Sequence, residues 1–133
     1  MPNKSLRILI ADEQHFNRLR IERLFNQLGY FRVAPVQSLD ELLLLVEYGC
    51  ESLDLVLVNE VMARGALDLF DYFANNPQVQ HAFIFNQQQT PLHSVAGKVQ
   101  LSRAALPDLA SIMQLMSVVD RPLPFVGTVI SVR

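Results

Sequence analysis

A chain of 133 residues, half of them apolar and 18% charged, has the length of one domain and enough apolar content to fill its core. High apolar content with a formal charge of −2 excludes an intrinsically disordered chain. Nine arginines stand against two lysines without a dense basic run, so direct nucleic-acid binding is not expected. A single cysteine, Cys50, excludes an internal disulfide and fits a reducing cytoplasm. The first residues lack the apolar stretch of a signal peptide, and no run reaches the roughly 18 apolar residues of a membrane span.

Along the chain, strand and helix patterns alternate. Residues 6–11 form a short Ile/Leu run suited to a strand buried on both faces. Residues 14–28 carry Phe16, Leu19, Leu24, Phe25 and Leu28 near helical spacing, and Gly29 closes that helix. Residues 31–36 read as a second strand. Ser38 and Glu41 have the spacing of a capping box and open a helix that Gly49 stops near Tyr48. Residues 53–59 form the third strand and 67–74 the third helix. Residues 81–85 and 98–101 supply two more strands. Pro107 suits the first turn of a last helix reaching Val119. Alternation in units of this length predicts a three-layer α/β fold with a five-stranded parallel sheet flanked by helices. Between Asn86 and Ser102 there is room for only about two helical turns, so the fourth helix is expected to be shortened. The domain is expected to span residues 1–119. Residues 120–133 form a C-terminal extension, broken from the last helix by Pro122 and Pro124 and β-prone from Phe125.

Three features share one frame. The run Asp54-Leu55-Val56-Leu57-Val58 ends on Asn59. The first strand is followed by Asp12 and Glu13, and the first helix closes on Leu28-Gly29-Tyr30. In these features the chain resembles the receiver domain of bacterial response regulators, over about residues 5–119. The resemblance implies a flavodoxin-like (CheY-like) fold and a place in two-component, phosphorelay-type signalling. In a receiver, acids after the first strand hold Mg²⁺ beside an aspartate that ends the third strand. A hydroxyl ends the fourth strand, and a lysine ends the fifth.

Carried over by position, that site is degenerate. Asp12 and Glu13 keep the acid pair. Asn59 stands at the phosphate acceptor, Asn86 at the hydroxyl and Ser102 at the lysine, with Arg103 the nearest base and Lys98 poorly placed. Val99 falls where an aromatic often switches rotamer. Met62 matches the usual Met, and Ala63 replaces the usual proline. A neutral amide cannot accept a phosphoryl group as a carboxylate does. The resemblance therefore implies a pseudo-receiver with no catalytic role. Asp12 and Glu13 remain as an acidic pocket that offers at most a weak Mg²⁺ site. His15, His81 and His93 show no metal-ligand spacing, and no phosphate loop or nucleophile elbow is present.

Without chemistry, surfaces must carry the function. The last helix is apolar over most of its circumference, and 42–46 in the second helix is similarly over-supplied. An interaction surface is expected at Leu109, Ile112, Met113, Met116 and Val119, with Phe125 and Val129 of the tail. Either the tail packs back on its own domain, or the last helix forms a homodimer. The functional expectation is phosphorylation-independent contact with a signalling protein, with no membrane involvement. Two other readings stand beside it. One is an N-terminal regulatory domain whose effector lies outside this chain. The other is a small-ligand or metal sensor at the acidic edge.

Overall fold

A computed structural model describes residues 2–87 and 97–120. Five strands, β1 (Ile8–Ala11), β2 (Val33–Val36), β3 (Leu55–Asn59), β4 (Ala82–Phe85) and β5 (Val99–Leu101), form one parallel sheet in the order β2-β1-β3-β4-β5. Four α-helices accompany it among the described residues: α1 (His15–Gln27), α2 (Leu39–Tyr48), α3 (Leu69–Ala74) and α4 (Leu109–Val119). The result is the three-layer, flavodoxin-like α/β fold.

The strands read as unbroken apolar runs because both faces of each are covered. Within each run, alternate side chains go to opposite layers. Leu9, Ala11, Val56, Val58, Ala82 and Ile84 meet Leu42 and Val46 of α2 and Leu69 and Phe73 of α3. Ile8, Ile10, Leu55, Leu57, Phe83 and Phe85 meet Ile21 and Phe25 of α1 and Ile112, Leu115 and Met116 of α4. Thus α2 and α3 cover one face of the sheet, and α1 and α4 the other. Pro35 sits in the edge strand β2, where its missing N–H removes no ladder bond on the open side.

Helix ends follow their local chemistry. Ser38 Oγ accepts from the Glu41 amide at 3.1 Å, as the capping spacing predicts. Glu41 reaches back one residue further than a capping box requires, accepting from the Gln37 amide at 3.2 Å. Asp68 and Asp108 cap α3 and α4 in the same way, accepting from Asp71 and Ser111. These caps start both helices two residues later than expected, and Pro107 lies just before the cap rather than in the first turn. The two helix-closing glycines work differently. Gly29 adopts φ +101°, and a Cβ there would lie 2.7 Å from Pro2 Cγ. Gly49 has an ordinary φ, but a Cβ would sit 2.5 Å from the Leu45 carbonyl oxygen.

The far end of α4 is tied down by Asp120. Its carboxylate accepts from the Tyr30 hydroxyl at 2.6 Å and from the Asn3 amide at 3.0 Å. Burial and this carboxylate push the Tyr30 hydroxyl well above its ordinary pKa. No helix among the described residues is long and apolar enough to cross a membrane. The expected short fourth helix falls largely on residues 88–96, and the β-prone tail on 121–133. Both lie outside the described residues.

Candidate functional site

The carboxyl ends of β1, β3 and β4 bring Asp12, Asn59 and Asn86 together, where open α/β sheets place their sites. Asp12 and Asn59 are 1% and 7% exposed, and no other buried residue among those described is polar or charged. They form one hydrogen-bonded chain. Asn86 Nδ2 donates to Asn59 Oδ1 at 3.2 Å, and Asn59 Nδ2 donates to Asp12 Oδ2 at 3.0 Å. Asn59 Oδ1 also accepts from the Val61 amide at 3.0 Å, which starts a short 3-10 turn, Glu60–Ala63. The orientation of the Asn59 amide is thereby fixed. Flipping it would aim its NH₂ at two donors and turn its oxygen toward the Asp12 carboxylate.

Asp12 is anchored from three further directions. Its Oδ1 accepts from the Gln14 amide at 2.9 Å, and its Oδ2 from Asn17 Nδ2 at 3.1 Å. The Arg18 guanidinium donates to the Asp12 carbonyl oxygen at 2.6 Å. Asn17 and Arg18 were not legible as site residues. They lie five and six positions after Asp12, and only the turn into α1 brings them back to it. The usable signal was an amide and a guanidinium on the first turn of a helix that follows a buried acid.

Asn86 sits at φ +61°, the left-handed region that asparagine tolerates better than most residues. Its backbone amide donates to the Ala104 carbonyl at 2.8 Å. The Ser102 amide donates to the Ile84 carbonyl at 2.8 Å, and the Gln87 amide to the Ser102 carbonyl at 2.9 Å, prolonging the β4–β5 pairing. The hydroxyl of Ser102 serves its own turn, accepting from the Ala104 amide at 3.3 Å. Lys98 is at the opposite, amino end of β5. Its ammonium donates to the carbonyls of Asn76 and Val79 at 2.8 and 3.0 Å, and burial lowers its pKa. It is a structural tie between β5 and the turn before β4.

A cavity of about 250 Å³ opens over this edge, bordered by Asp12, Glu13, Asn17, Asn59, Asn86 and Leu106, among others. Ser102 does not line it. Glu13 is exposed on its rim. Beside the site, Glu60 has its carboxyl raised above the usual range by burial and by Asp68, against the pull of Arg64.

The donor set does not fit a divalent cation. Both Asp12 oxygens already receive N–H groups, and the Asn59 oxygen receives two. Mg²⁺ prefers about six hard oxygen ligands, and here the neighbouring amides present nitrogen instead. Among the described residues, no group of three or more His, Cys, Asp or Glu side chains is arranged for a metal. No buried side-chain nitrogen or oxygen among them lacks a partner. The site is closed on its own hydrogen bonds.

The expected interaction surface is corrected in two places. Ile112 and Met116 are buried against the sheet, 0% and 4% exposed, because α4 turns this stripe inward. Leu109 and Val119 are half-buried, and Met113 is exposed. Phe125 and Val129 lie outside the described residues. Phe16, grouped with the core positions of α1 by spacing, is instead 66% exposed. No protein-family model, curated protein or solved structure matches this chain.

Proposed function

We propose that this chain is a receiver-like domain that works in bacterial two-component signalling by contact alone. The observation that carries this reading is the Asp12–Asn59–Asn86 network. It lies where the receiver resemblance puts a phosphorylation site, and its members hydrogen-bond to one another. An amide at position 59 is not a neutral loss here. It supplies one of the three donors to the Asp12 carboxylate and the acceptor for Val61 and Asn86. A carboxylate could not do both, because it carries no N–H. The domain is thereby held in a single state rather than switched, and it presents constant surfaces to a protein partner in the cytoplasm. Self-association is part of this reading, since several large apolar side chains are exposed. The ligand-sensor alternative is less well supported, because the Asp12 and Asn59 atoms at the cavity already have partners.

The test is intact-mass spectrometry after incubation with acetyl phosphate and Mg²⁺, paired with affinity capture from a bacterial lysate. The expected outcome is an unmodified chain. Capture should recover a histidine kinase, phosphotransfer protein or regulator equally well with and without the phosphoryl donor. A covalent phosphoryl adduct on wild-type protein, or capture that depends on the donor, would overturn the reading.

A further inference from the structure

Exposed apolar side chains occur on two helices, α1 and α2, that lie on opposite faces of the sheet. On α1, Phe16 stands out, with Leu19 and Leu24 half-buried beside it. With Leu109 of α4 they line a groove of about 410 Å³ whose rim carries Arg20 and Arg23. Neither guanidinium has an ion pair among the described residues. The groove's acid, Asp108, is already committed to capping α4 through the Ser111 amide at 2.8 Å.

On α2, Leu44 and Tyr48 are 58% and 76% exposed, and Leu45 is also exposed. Asp40, Leu44 and Tyr48 follow one another at four-residue spacing and so share a face. The same helix carries Asp40, Glu41 and Glu47, all exposed, and no basic residue. One helix therefore offers an apolar ridge rimmed by acids, and the other an apolar groove rimmed by arginines.

We propose that the α2 ridge of one copy docks into the α1–α4 groove of a second copy. Leu44 and Tyr48 pack beside Phe16 and Leu109, while Asp40 meets Arg20 and Arg23. A two-fold contact is disfavoured on both faces, because ridge on ridge opposes carboxylates and groove on groove opposes guanidiniums. The complementary faces lie on opposite layers of the fold. The contact is therefore head-to-tail, and each added copy leaves one groove and one ridge open, giving a ring or an open filament. This association deepens the contact-only reading but does not depend on the state of the carboxyl-edge site.

Sedimentation velocity on the full chain, from micromolar to submillimolar concentration and at low and high salt, tests it. Wild-type mass should grow past the dimer, and less so at high salt. Two variants break one face each: Arg20→Glu with Arg23→Glu, and Leu44→Glu with Tyr48→Glu. All four side chains are exposed, so folding should be kept, with unchanged circular dichroism and melting. Each variant alone should associate at least about tenfold more weakly. An equal mixture should form a one-to-one complex and nothing larger, since one variant keeps its ridge and the other its groove. A wild type that stays monomeric, one that closes at a dimer, or variants that do not complement each other would overturn the proposal.

Discussion

Asn59 is held by three hydrogen bonds whose directions only an amide can satisfy. Asn59→Asp removes the donor to Asp12 and places a second carboxylate about 3 Å from the first. Two carboxylates at that distance resist joint ionisation, so the folded protein holds a proton that the unfolded chain releases. Stability is then greatest below the ordinary carboxylate range and falls as pH rises. The expected loss is about 2–4 kcal/mol at neutral pH and much less near pH 4. Urea denaturation at the two pH values checks it. Restoring this carboxylate should not restore stable phosphorylation, because Asn86 and Ser102 remain. Glu60 follows the same sign in the wild type. Its raised carboxyl contributes stability that is full below the ordinary glutamate range and declines as pH rises through the folded value. Glu60→Gln should raise the melting temperature by about 1–2 °C at pH 7.5 and leave it unchanged near pH 4. That Asp12, Asn59 and Asn86 meet at one edge of the sheet was legible, because strand ends can be read from apolar runs. The hydrogen bonds among them were not, since they depend on side-chain orientation. Asn17 and Arg18 escaped notice for the same reason.

At the scale of elements, the strands were the most legible parts. A run such as Leu55–Asn59 needs only apolar residues in sequence, and the alternation of its side chains between two layers follows from strand geometry. The helices were less legible where apolar residues exceed what one face can bury. In α4, nothing in the pattern decides between Ile112 and Met113, which are adjacent and both apolar. Packing against Ile8, Ile10 and Phe83 turns Ile112 inward. Ile112→Ala should therefore cost about 2–5 kcal/mol, and Met113→Ala less than about 0.5 kcal/mol, in equilibrium unfolding. Gly29 gives a backbone counterpart. Gly29→Ala meets both a positive φ and Pro2, and should cost about 1–2 kcal/mol by the same measurement.

For the whole molecule, the sheet order and its two covering layers set which surfaces can act together. The carboxyl edge collects the polar site, and the two helical layers carry oppositely charged apolar faces. The alternation of elements made the layers legible. It could not show that Phe16, Leu44 and Tyr48 remain exposed, because exposure depends on how far each helix rolls on the sheet.

The central claim is that the amide network closes the site against metal and phosphate. It is tested most directly by following the side-chain NH₂ resonances of Asn17, Asn59 and Asn86 by nuclear magnetic resonance while Mg²⁺, and then acetyl phosphate, is added. The account predicts that all three stay in place, with only general ionic-strength drift. Saturable shifts centred on Asn59 and Asn17 would mean that Asp12 exchanges its amide donors for a cation, and the account would be contradicted.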